Sequence, residues 1–137
     1  IEHLLTGSEA PKAPGMKYKH YAPKADMKLV RGDESAVLRY MKDRIKDCDK
    51  PMALLTVDEH KKDLEAEAKG KKGINILSLG SIKNPSSIAH NLFDVLRKCD
   101  ELGVEYIFSE VFDESGIGKA IMNRLKKAAG FEIIDVR

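Results

Sequence analysis

Pro51-Met52-Ala53-Leu54-Leu55-Thr56-Val57 is a continuous apolar run of strand length. A strand with one wet face alternates apolar and polar residues. An unbroken run instead fits a strand covered on both faces, as in a parallel sheet sandwiched between helices. Its only proline stands at the first position, where a strand tolerates the missing donor.

The flanks agree with that reading. Upstream, Met27-Lys28-Leu29-Val30 is a short apolar run closed by Arg31-Gly32-Asp33, a first strand and its loop. Val37, Leu38, Met41, Ile45 and Cys48 then recur at three- and four-residue steps, which predicts a helix over 34–48 with Asp33 as its cap. Downstream, residues 58–69 have helical propensity but little besides Leu64 to bury, and Gly70-Lys71-Lys72-Gly73 stops them. Ile74 to Gly80 reads as a third strand, and Asn84-Pro85 offers a cap and a first-turn proline. The following helix, 85–102, buries Ile88, Leu92, Leu96 and Cys99 beside Val95 and Leu102, and stops at Gly103. Val104 to Ser109 is a fourth strand. A helix over 117–129 turns Ile117, Ile121, Leu125 and Ala129 inward, and Phe131 to Val136 is a fifth strand. Strands alternating with helices at this spacing predict right-handed crossovers. The expected class is α/β, a Rossmann-like three-layer sandwich with a mostly parallel five-stranded sheet over residues 27–137, preceded by an extended linker over 1–26.

Composition narrows the function classes. The chain has 137 residues, 42% hydrophobic and 34% charged, enough for one sizeable core. No run approaches the ~20 apolar residues of a membrane-spanning helix, and no secretory leader is legible at the start, so a cytoplasmic location is expected. Cys48 and Cys99 lie inside expected helices without a second ligand at metal spacing, and read as small buried side chains.

Residues 14–23, Pro-Gly-Met-Lys-Tyr-Lys-His-Tyr-Ala-Pro, stand apart. Prolines at 11, 14 and 23 remove donors and disfavour helix, so the run should be an extended strap. Residues 1–31 hold six Lys or Arg against three acids, and residues 32–137 hold eighteen against nineteen. The positive excess therefore sits on the strap side, where lysines, tyrosines and a histidine could meet an anion. An ordinary hydrophilic linker accounts for the same composition. The opening Ile1-Glu2-His3-Leu4-Leu5, with no initiator methionine, reads as the end of a preceding unit.

Chemistry-bearing constellations are sparse. Ser115-Gly116-Ile117-Gly118-Lys119 opens a helix after a strand, so Gly116, Gly118 and Lys119 could receive a phosphate or nucleotide. The pattern is neither a dinucleotide fingerprint nor a P-loop, and a plain helix-entry loop explains it as well. Asn123 and Arg124, further along that helix, suit contacts between domains. Glu110, Asp113 and Glu114 form an acidic loop at the carboxyl edge of the sheet, able in principle to hold Mg²⁺ but more simply solvated. His3, His60 and His90 have no partner implied by spacing and are expected at the surface. No nucleophile with its base and no metal site emerges.

The strap closely resembles the linker Pro-Gly-Met-Lys-Tyr-Arg-His-Tyr-Ala-Pro of the long, two-domain form of L-threonylcarbamoyladenylate synthase, the Sua-five type of the YrdC-like family. Leu92 to Arg97, Asp100 to Val104 and Gly118 to Leu125 are similar to the accessory domain of the same proteins. The resemblance implies a parent enzyme that condenses L-threonine, bicarbonate and ATP, with Mg, into threonylcarbamoyl-AMP and pyrophosphate for tRNA modification. The catalytic domain, with its KxR and SxN signature, would precede Ile1, leaving no catalytic residue in this chain. Lys17, Tyr18, Lys19, His20 and Tyr21 would close its pocket over threonine and nucleotide. Position 19 departs from the pattern: Lys keeps the charge of Arg but loses its bidentate fork. The alternatives are a module that binds nucleotide or tRNA, and a scaffold between domains or protomers.

Overall fold

The computed structural model describes residues 22–137. Within them the chain runs β1 (Asp26–Arg31), α1 (Glu34–Lys46), β2 (Met52–Thr56), α2 (Asp58–Ala68), β3 (Ile74–Ser78), α3 (Pro85–Leu102), β4 (Tyr106–Glu110), α4 (Ile117–Ala128) and β5 (Ile133–Asp135). The five strands form one sheet in the order β3-β2-β4-β1-β5. Every neighbouring pair is parallel, including the last, with Leu54 opposite Phe108 and Leu29 opposite both Ser109 and Ile133.

The apolar run of β2 is explained by its two faces. Ala53, Leu55 and Val57 join Met27, Leu29, Leu92, Ile121 and Leu125 in the cluster under α3 and α4. Met52 and Leu54 join Val30, Val37, Met41, Ile45 and Leu64 in the cluster under α1 and α2. Each face therefore buries its own helix pair, which is the three-layer arrangement. A fully buried Leu stabilises the fold by about 1.5–3 kcal/mol through its removal from water.

Several local expectations change. Helix α1 stops at Lys46, so Cys48 lies beyond it, half-buried, with its thiol donating to the Lys50 carbonyl at 3.1 Å. Cys99 is fully buried, and that burial pushes its thiol up to about 12. Asp33 and Asn84 precede their helices without a side-chain cap: their carbonyls accept from Val37 and Ser87 instead. Ile117 is not inward but 44% exposed, in the wall of an open hollow, and Leu102 at the far end of α3 is exposed as well. The fifth strand starts only at Ile133, since Gly130 and Phe131 both take positive φ and turn the chain first. Gly103 ends α3 with φ 69°.

The chain enters the body before Met27. Pro23 is buried, the Lys24 amide donates to Asp100 at 2.8 Å, and Ala25 is packed in the larger core. Among the described residues no helix is long and apolar enough to cross a membrane.

Leu54 has no exposed surface and sits among the buried side chains of the cluster under α1 and α2. Leu54→Ala should cost about 2–5 kcal/mol, read as a lower denaturant midpoint with an unchanged slope.

Candidate functional site at the carboxyl edge of the sheet

Right-handed crossovers running β1 to β3 put α1 and α2 on one face, and those running back through β4 to β5 put α3 and α4 on the other. The loop after β4 therefore leaves toward the opposite face from those after its neighbours β1 and β2. Such divergence opens a crevice outside the carboxyl ends of the strands.

Glu110, the last residue of the central strand β4, is buried there with 7% exposure. A carboxylate so placed needs donors. Thr56, fully buried at the end of β2, donates its hydroxyl to Glu110 Oε2. His60, buried in the first turn of α2, places Nδ1 2.9 Å from the same oxygen and 3.1 Å from Oε1. Its other nitrogen, Nε2, lies 2.6 Å from Oε2 of Glu34, the first residue of α1. Burial alone would lower the imidazole pKa, but hydrogen bonds and charge from Glu110 and Glu34 outweigh it and hold the ring above its ordinary value. Glu34, by contrast, leaves most of its side chain in solvent.

Glu34 and Glu110 line a cleft of about 190 Å³ whose other walls are Val30, Gly32, Val37, Ile82 and Val111. A larger apolar hollow of about 280 Å³ adjoins it, between Ile82, Pro85 and Ile88 on one side and Phe112, Ile117 and Ile121 on the other. Ile82 belongs to both and is 49% exposed. Its loop is tied down by Glu59, which accepts from the Ser81 hydroxyl at 2.5 Å and the Ile82 amide at 3.0 Å. Those two donors hold the Glu59 carboxyl down to about 2.

His60 thus corrects the expectation of a surface histidine without a partner. The available signal was its spacing: it lies four residues before Leu64, the other buried residue of α2. His90 is exposed as expected, and His3 lies outside the described residues. So do Lys17, Tyr18, Lys19, His20 and Tyr21 of the strap.

The acidic loop does not converge. Glu110 turns inward, Asp113 takes the Ser115 hydroxyl, and Glu114 pairs with Lys126 at 3.1 Å. Among the described residues no group of three His, Cys, Asp or Glu is arranged to hold a metal ion. In the glycine loop, Gly116 takes φ 55°, while the amides of Gly118 and Lys119 donate to Ser115 and Gly116 at 3.0 and 3.1 Å. Gly118 has a packing reason as well: a Cβ there would sit 1.8 Å from the Asp113 carbonyl. Lys119 and Asn123 are exposed, and Arg124 lies over the Phe93 ring at 5.4 Å.

Chemically, the cluster can hold and relay a proton. Thr56 is no nucleophile in this setting, because its hydroxyl is spent on Glu110 and shut away from solvent.

The family model described as threonylcarbamoyl-AMP synthase, C-terminal domain, matches residues 1–130. A threonylcarbamoyl-AMP synthase of Pyrococcus abyssi is 37% identical over 93% of the chain, and one of Bacillus subtilis is 34% identical over 96%. The chain spans about a third of these curated relatives, 35% and 36% of their lengths. Among solved structures, P. abyssi Sua5 complexed with L-threonine is similar over 95% of this chain and 36% of its own, at 34% identity and a TM-score of 0.71. A C-terminal Sua5 domain from Pyrococcus horikoshii is similar over 83% of this chain and 99% of its own, at 26% identity and a TM-score of 0.58.

The folded Glu59 pKa, about 2, lies below the 4.5 of a free carboxyl. Its stabilising contribution is present above pH 4.5 and is lost as pH falls through the folded value. Glu59→Gln should therefore melt lower than wild type at pH 7 and match it more closely near pH 2, in thermal scans across that range.

Proposed function

The chain belongs to the threonylcarbamoyl-AMP synthase C-terminal domain family, and we propose that it is the strap and anchoring module of a longer synthase. The parent takes L-threonine, bicarbonate and ATP, with Mg²⁺, to threonylcarbamoyl-AMP and pyrophosphate, supplying the modification of tRNA in the cytoplasm. A catalytic domain preceding this chain carries out the chemistry. This chain has no turnover of its own.

The mechanism is gating. Carbamate and adenylate intermediates are lost to water unless the site is shut, and a closing segment excludes solvent while it completes the pocket. Lys17, Tyr18, Lys19, His20 and Tyr21 supply that segment: cations for phosphate or carboxylate, rings to cover them. For a strap to close reproducibly its far end must be fixed.

The observation that carries this reading is how the strap's end meets the body. Pro23 and Ala25 are buried, and the Lys24 amide is held by Asp100 at the end of α3. The Asp26 amide then donates to Glu105 at 3.0 Å, and the chain continues into β1, paired on both sides by β4 and β5. The carboxyl edge also supports anchoring over phosphate binding, because the Gly118 and Lys119 amides at the start of α4 donate to Ser115 and Gly116 and the acids Asp113 and Glu114 stand in the same loop.

In the full-length enzyme, Tyr18→Ala and His20→Ala should each lower kcat on the order of ten- to a hundredfold while melting like wild type. Asp100→Ala, which frees the anchor, should lower it less. Unchanged steady-state kinetics in all three would contradict gating.

A further inference from the structure

Both ring nitrogens of His60 face a carboxylate: Nδ1 faces Glu110 at 2.9 Å and Nε2 faces Glu34 at 2.6 Å. A neutral imidazole carries one N–H and can satisfy only one of them; an imidazolium satisfies both. The contacts tie three elements together, since Glu34 opens α1, His60 sits in the first turn of α2 and Glu110 ends β4. Two of the three residues, Glu34 and Glu110, also line the cleft at the carboxyl edge.

The two carboxylates are not held alike. Glu110 is buried and keeps Thr56 as a second donor. Glu34 is 70% exposed in its side chain, and among the described residues His60 is its hydrogen-bond partner. A ring that loses a proton therefore keeps Nδ1–H on Glu110, where the alternative is an underbonded buried charge, and turns a lone pair on Nε2 toward Glu34. The exposed partner is the one that leaves.

We propose that Glu34, His60 and Glu110 form a proton-controlled latch, which ties the start of α1 to the end of β4 along one wall of the cleft while the imidazolium holds both carboxylates, and releases Glu34 and the start of α1 when the ring loses its proton. Among the described residues, His60 is the cation paired with both Glu34 and Glu110. Asp58 takes the Ser78 hydroxyl and Glu59 is held by Ser81 and Ile82, while β2 presents the neutral Thr56. The direction of the switch follows from the two carboxylates that face the ring, and the raised pKa of His60 agrees with it. The latch is complete below the ordinary histidine value of about 6.5 and is lost as pH rises through the higher folded value. It makes the carboxyl edge responsive to mild alkalinity, a property independent of the gating role.

The test is hydrogen exchange of the full-length protein by mass spectrometry at pH 6 and pH 9, corrected for intrinsic exchange rates and read on peptides covering Asp33–Met41. Wild type should exchange there on the order of tenfold faster at pH 9, the scale of one charge-assisted hydrogen bond. Glu34→Gln should show equal protection at both pH values, because its carboxamide accepts from the imidazolium and donates to the neutral ring. Slow exchange at the imidazole carbon should place the His60 titration above 6.5 in wild type and lower in Glu34→Gln. Equal protection of wild type at both pH values would overturn the latch, and so would a Glu34→Gln variant that keeps the wild-type pH dependence.

Discussion

Parallel strands cannot be joined by tight turns, and the rest of this structure follows from that constraint. Each connection has to be a crossover helix, so both faces of the sheet are covered and β2 becomes apolar throughout. The chain then travels to one edge of the sheet and returns, inserting β4 between strands already laid down. A central strand whose exit loop diverges from those of its neighbours leaves a crevice at its carboxyl end. Glu110 stands at that point, and its burial calls up Thr56 and His60 as donors.

The fold was legible because its signals are local. The runs in β2, β3 and β4 and the Ile88, Leu92, Leu96, Cys99 stripe of α3 are each read within one window, and the glycines at 103 and 130 mark helix ends without reference to anything distant. Ends of elements were less legible. Ile117 continues the Ile121–Leu125 spacing, yet spacing says nothing of what packs opposite a residue, and Ile117 faces an open hollow instead. The candidate site was legible only in pieces. Glu110 could be placed at the carboxyl edge, but its meeting with Glu34 and His60 depends on β4 lying between β1 and β2, an order no single stretch encodes. His60 was masked by the polarity of α2, where a histidine beside one leucine resembles a solvated face until both turn inward.

The two ends of the sheet differ in what they present. At the amino end, Lys24 and Asp100 fix the chain as it enters β1, and α3, with eighteen residues and a length of about 27 Å, runs from that point to the carboxyl end. There the surface is rich in carboxylates, and its cleft and apolar hollow adjoin at Ile82. The anchoring proposed above belongs to the first end. The second is poorly suited to phosphate and well suited to holding a proton.

The central claim is that the body anchors a strap and leaves nucleotide and tRNA to the catalytic domain. Calorimetric titration of this chain with ATP in the presence of Mg²⁺, and separately with unmodified tRNA, tests it most directly. The account predicts no binding heat in either titration. Saturable binding of ATP at micromolar concentration, abolished by Lys119→Glu, would contradict it and return the glycine loop at the start of α4 to the status of a nucleotide site.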